Sequence, residues 1–286
     1  MGFNGYDKSF QENILDELDL IYSTGNYYTD FIKTKKYFLG CDHVYYIYAY
    51  YKLLHTLSDE VDDDKKPDYC HLDKKNLNYL YKVLRNNKIN SSLVRILEKN
   101  KNNICSYCFT SKAEEIDHFL VKTQYPSYSI SYYNLVPACK SCNHKKGSLK
   151  PSSNDEIWFF NPNFESINDE FYLNCKFENN YTKLVFFIDN SKNEIFTHKI
   201  NFTFSKMKIF EIYERLAHNE IITIFREFEI QNRSLQIDIK KFLLIKRQAN
   251  QKPYNYLWKR SLYKFLLEET EFHTQGYNEY LKFYNC

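Results

Sequence analysis

Glycine and proline are scarce in this chain, six of each among 286 residues, which argues against a loop-rich or disordered protein. Long apolar runs are missing as well. No stretch reaches the roughly 20 apolar residues that a bilayer span requires, so no membrane contact is expected. Met1 to Gln11 contain no basic segment followed by an apolar one, so a secretory leader is not expected either. Charge of one sign is nearly balanced out, at +3. These absences leave a soluble cytoplasmic protein, long enough for one large core or two modest ones. What is abundant is tyrosine and phenylalanine, 27 and 23 residues. Lysine, asparagine and isoleucine are also heavily used, which marks an AT-rich coding genome rather than a dedicated stacking surface.

The charge is unevenly placed. Residues 1–100 carry 14 basic and 15 acidic side chains, and 151–286 carry 18 of each. Residues 101–150 carry seven lysines against three acids, so the positive excess lies in that window. A local basic patch of this kind suits phosphate contact.

Periodicity predicts a mixed, mainly α fold. In region 1–100, Phe10, Ile14, Leu15, Leu18 and Ile21 recur at helical spacing toward Gly25. Asp42 is read as the N-cap of a second helix over 44–57. A charged loop with Pro67 follows over 59–68, then helices over 76–85 and 91–99. Region 151–286 opens with a polar and aromatic connection. Alternation then predicts a strand pair over 171–177 and 183–188, turning at Asn179–Asn180, and a third strand over 194–201. Helices are expected over 207–228, 236–247, 254–268 and 277–283.

Region 101–150 holds the chemistry. Cys105-Ser-Tyr-Cys108 and Cys139-Lys-Ser-Cys142 are two C-x-x-C turns, 30 residues apart. Each turn aims two sulfurs at one point, and together they complete a tetrahedral four-thiolate zinc site. Four thiolates leave no open position, so the zinc is expected to be structural. Cys41 with His43, and Cys70 with His71, share no knuckle pattern and are read as core residues. Between the knuckles lies Glu115-Ile116-Asp117-His118-Phe119. Adjacent strand residues face opposite sides, so Asp117 and His118 serve one site only if the strand bends or ends there. A loop containing Pro126 leads to Asn134-Leu135-Val136-Pro137 and the second knuckle. Asn143, His144, Lys145, Lys146 and Gly147 then enter a short helix.

The run C-x-x-C, D-H, N-L-x-x-x-C-x-x-C-N-x-x-K-G resembles the HNH endonuclease family, over about 45 residues. The resemblance implies a central ββα-metal module. More loosely, Tyr125-Pro126 and Phe159-Phe160-Asn161-Pro162 resemble HNH proteins of bacterial phage-defence and retron-type operons, which often act beside an ATPase partner. By resemblance, His118 matches the general base, Asp117 and Asn143 match ligands of a catalytic Mg2+ or Mn2+, and Asn134 matches the residue that braces the loop. His144, next to Asn143, is the alternative ligand. Lys122, Lys145 and Lys146 are read as contacts to backbone phosphates. The chemistry agrees. Phosphodiester hydrolysis needs a base titrating near neutral pH and a hard cation on oxygen ligands. The sequence departs from the family at Val121, where many relatives have proline, and at Asp117, where others have histidine. The reading is a DNA endonuclease; the alternatives are a nuclease acting on RNA and a zinc-binding nucleic-acid module without activity.

Overall fold

The computed structural model describes residues 6–23, 28–59, 70–86, 91–99, 103–149, 159–167, 173–189, 194–235, 238–249, 257–273 and 275–284. Gly25, Lys150, all but Asp59 of the predicted 59–68 loop and most of the 151–163 connection lie outside them. The chain forms two compact units, 1–107 with 111–166, and 108–110 with 167–286.

Among the described residues of the first unit, four α-helices come before the hairpin: α1 (Ser9–Tyr22), α2 (Tyr28–Tyr50), α3 (Lys74–Asn86) and α4 (Ser91–Leu97). Each turns a stripe of apolar residues inward at three- and four-residue spacing. Ile14, Leu15 and Leu18 of α1 meet Phe31 and Phe38 of α2, Leu77, Leu80 and Leu84 of α3, and Ile96 of α4. Asp42 does not cap a helix. It lies inside α2, fully buried, and accepts the Ser131 hydroxyl at 2.5 Å. The buried stripe of α2 starts at Phe31 and helix geometry carries through Asp42. A tertiary partner has claimed the carboxylate that the sequence offered as a cap. The predicted continuation to 57 is replaced by an end at Tyr50 and a short 3-10 turn, Leu54–Thr56. Cys41 and Cys70 are core residues, and His43 packs its ring on Tyr6 at 4.7 Å.

The motif segment continues this unit. Strand β1 (Glu115–His118) pairs antiparallel with β2 (Leu135–Ala138), from Glu115 opposite Ala138 to His118 opposite Leu135. Helix α5 (Lys140–Lys146) follows directly. Cys139 caps it, its sulfur accepting the Cys142 N–H at 3.4 Å. Gly147 ends it at φ +52°, a left-handed conformation costly for other residues. Ile116, Ile130 and Leu135 are part of the same buried cluster as α1 to α4, so hairpin and helices share one core.

In the second unit, β3 (Leu173–Glu178) and β4 (Lys183–Ile188) form the expected antiparallel pair. It turns through Asn179, Asn180 and Tyr181, all at positive φ. The predicted third strand is instead the start of α6 (Glu194–Lys206). Its buried residues Thr197, Ile200, Thr203 and Phe204 lie three to four apart, which is a helix stripe. The β-branched and aromatic content of that segment had favoured a strand. Helices α7 (Ile209–Leu235), α8 (Ile239–Ala249), α9 (Leu257–Glu268) and α10 (Gln275–Phe283) complete the unit. Helix α9 packs against β3 and α7 against β4. Among the described residues no helix is long and apolar enough to cross a membrane.

Candidate functional site

The four knuckle cysteines converge. The sulfurs of Cys105, Cys108, Cys139 and Cys142 are all buried and lie within 4.8 Å of one another. Backbone pairing brings them together: Ser106 N–H donates to the Pro137 carbonyl at 2.9 Å and Glu114 N–H to Ala138 at 3.0 Å. A tetrahedral zinc with 2.3 Å bonds needs sulfurs about 3.8 Å apart, which this cluster meets with little movement. The Thr110 hydroxyl donates to the Cys108 sulfur at 3.3 Å, a contact that favours thiolate over thiol. The donor set is closed and all sulfur. It fits a structural zinc and offers no position for substrate.

Asp117 and His118 sit beside this cluster at the end of β1. Glu115 and Asp117 point to one face of the strand and Ile116 and His118 to the other. Because β1 stops at His118, both faces reach one cavity of about 550 Å³. Its lining includes Glu115, Asp117, His118, Lys122, Asn143 and Gly147.

His118 is 8 % exposed, and its Nε2 lies 2.8 Å from the Ser129 carbonyl oxygen. A carbonyl only accepts, so Nε2 carries the proton and the lone pair is on Nδ1. The Tyr81 ring meets the imidazole edge-on, centroids 4.3 Å apart. Burial pushes its pKa down to about 3 against the raising effect of the Ser129 bond, and the nearby ammoniums of Lys122 and Lys146 add smaller lowering effects. The ring is therefore neutral at pH 7. The expected titration near neutrality is not found in this closed environment.

Asp117 is 4 % exposed and fully engaged. The Tyr107 hydroxyl donates to Oδ2 at 2.6 Å, and Lys146 Nζ lies 3.1 Å from Oδ1 and 3.0 Å from Oδ2. Lys146 also donates to the His118 carbonyl at 2.8 Å. This corrects the reading of Lys146 as a phosphate contact. At 1 % exposure it faces β1, because it lies three residues after Asn143 on the same helix face. Asn143 makes the neighbouring link, donating from Nδ2 to Glu115 Oε2 at 2.7 Å. Helix α5 is thus fastened to β1 by two polar pairs, Asn143–Glu115 and Lys146–Asp117. His144 is exposed, and neither it nor Lys145 lines the cavity. Lys122 does line it, with its ammonium 4.8 Å from the Tyr81 ring centroid.

Asn134 ties the loop between the strands. Its Oδ1 accepts the Leu120 N–H at 2.7 Å, and its Nδ2 donates to the Leu120 and Tyr128 carbonyls, both at 3.0 Å. The loop is also held from outside, which the sequence did not suggest. Three alternating serines each reach the N-terminal region. Ser127 donates to Asp59 at 2.7 Å and contacts the Tyr37 hydroxyl at 2.6 Å. Ser129 donates to the Leu77 carbonyl at 2.9 Å, and Ser131 donates to Asp42. Tyr132 N–H donates to the buried Gln11 side chain at 2.9 Å. The carbonyl that orients His118 thus belongs to a residue anchored on α3. Glu115 joins these residues without a motif to mark it; its position two residues before Asp117, on the same strand face, is the signal that points to it.

No protein-family profile matches the chain, and no solved structure matches it. Among curated proteins it is similar to the Septu protein PtuB of Bacillus thuringiensis, 46 % identical over 52 residues. That match covers 16 % of this chain and 20 % of the relative, so the chain spans only about a fifth of the curated protein it matches.

Proposed function

We propose that this chain is a metal-dependent endonuclease of the HNH type that hydrolyses DNA in defence against phage. The observation that carries the reading is one cavity lined by His118, Asp117, Asn143 and Glu115, beside a closed four-cysteine site, in β–β–α order. The match to a Septu protein supports the defence setting, alongside the resemblance to HNH proteins of phage-defence operons. An ATPase encoded nearby is the partner this setting suggests.

His118 Nδ1 is the group suited to accept a proton from a water whose oxygen attacks phosphorus. The P–O bond to the 3′ oxygen breaks as the P–O bond to water forms, leaving 5′-phosphate and 3′-hydroxyl ends. A phosphodiester anion drawn against His118 raises its pKa toward the working range. Glu115 and Asn143 offer hard oxygen ligands, with Asp117 joining if Lys146 yields. A divalent cation held there supplies the positive charge that eases phosphorus substitution. Asn134 and Ser129 hold the imidazole in place.

A second reading, a zinc-stabilised nucleic-acid module without activity, draws on Asp117 being neutralised by Lys146. Supercoiled plasmid and tRNA incubated with Mg2+, Mn2+ or EDTA separate the two. Cation-dependent plasmid cleavage, lost in His118→Ala, is expected. Cleavage of tRNA alone moves the substrate to RNA. If neither is cut, with or without the neighbouring operon product, the inactive module is the better account.

A further inference from the structure

The cavity at His118 does not end at the motif segment. A second cleft, about 970 Å³, adjoins it, and Tyr81, Arg85, Lys122 and Thr123 line both. Its floor is the outer face of α3, where Lys75, Tyr79 and Lys82 follow at i, i+4 and i+7 on one side. This helix carries Lys74, Lys75, Lys82 and Arg85 and no acid. Asp73 lines the cleft as well, but its Oδ1 accepts the Asn76 N–H at 2.7 Å as the cap of α3. Averaging charge over residues 1–100 hid this helix, whose charged side chains are all basic.

Among the described residues none of Lys75, Lys82, Arg85 and Lys122 forms an ion pair. Burial and the repulsion of Arg85 hold the Lys122 pKa below its ordinary value, so an anion arriving between them relieves a real strain. Tyr79 is 50 % exposed on the same face, and the Lys82 ammonium lies 5.7 Å from its ring centroid. Cations interleaved with an exposed ring form the combination that grips phosphates and stacks bases.

We propose that the outer face of α3 is a binding track for a single polynucleotide strand, leading its backbone through Arg85 and Lys122 into the His118 cavity. Phosphates sit on Lys75, Lys82, Arg85 and Lys122, and one base stacks on Tyr79. From Lys75 to Arg85 the helix rises about 15 Å, room for a few nucleotides of a single strand. The direction of the strand rests on the nuclease reading; its binding to α3 does not.

The test is fluorescence anisotropy with a labelled 20-nucleotide DNA strand and the matching duplex, on full-length protein in a His118→Ala background. Lys75→Ala/Lys82→Ala is expected to weaken single-strand binding at least tenfold and to lower the salt slope by about 1.4. Tyr79→Ala is expected to cost roughly tenfold. Lys75→Arg/Lys82→Arg retains binding, which separates charge from folding. Lys36→Ala, exposed on α2, leaves it unchanged. Unaltered affinity in the alanine variants, an equal loss in Lys36→Ala, or preference for duplex insensitive to Tyr79→Ala overturns the track. Binding that depends on α3 while no condition gives cleavage upholds the track and removes the nuclease reading. Cleavage with α3-independent binding does the reverse.

Discussion

Asp42 is a carboxylate without water, and burial pushes its pKa up to about 6 against the ordinary 3.8. A carboxyl whose folded pKa lies above its unfolded value binds its proton more tightly when folded. Its contribution is fully present below the unfolded pKa and is lost as pH rises through about 6. The stability of wild type relative to Asp42→Asn should therefore rise by up to about 3 kcal/mol as pH falls from 7 to 4. Urea titrations at several pH values check this, and a gap that does not change with pH would refute it. Asn134 offers a sharper case. Removing its side chain leaves the Leu120 N–H and two carbonyls unpaired in a buried loop. Asn134→Ala should cost about 2–4 kcal/mol in the same titration, with zinc content unchanged. Legibility differed between these two residues for a physical reason. The role of Asn134 is local to the hairpin and follows its position in the motif, whereas Asp42 finds its partner 89 residues away. Nothing near Asp42 in the chain announces Ser131.

The elements best read from sequence were those whose ligand chemistry fixes their geometry. Cys139 of the second C-x-x-C turn caps the start of α5, and the turn at Asn179–Asn180 uses residues that tolerate positive φ. The segment over 194–201 misled because isoleucine, phenylalanine and threonine suit a strand while their burial follows a helix. The cradle of α1, α2 and α3 around the loop was illegible for a different reason: serine hydroxyls bond to whatever folds against them. Chelation tests the motif elements directly. Helix α5 is only seven residues long, too short to persist alone, so removing metal with a strong chelator should release it. Hydrogen exchange across 103–149 should rise at least tenfold, while β3 and β4 keep their protection. Less than half an equivalent of zinc in the purified protein would sink the four-thiolate assignment.

At the scale of the whole molecule, near-neutral charge conceals a local excess: Lys75, Lys82, Arg85 and Lys122 line adjoining clefts. Beyond Cys108, the described part of the second unit is five helices on a strand pair. Its packing is nonetheless exacting. A Cβ at Gly276 would meet the Phe272 and Tyr181 rings at 2.9 Å, within a cluster where Phe177 stacks on Phe272 at 4.3 Å. Gly276→Ala should destabilise the unit by about 1–3 kcal/mol, read as a lowered melting temperature, with bound zinc still near one equivalent.

The alternating serines of the loop have a consequence for anyone wishing to transplant this chemistry. The motif spans fewer than fifty residues and looks like a portable cassette, yet the hinge pins of its loop are set in Gln11, Asp42, Asp59 and Leu77. Cut out along the motif boundaries, the cassette keeps its four cysteines and loses the frame on which His118 hangs. The smallest graft worth making begins at α1.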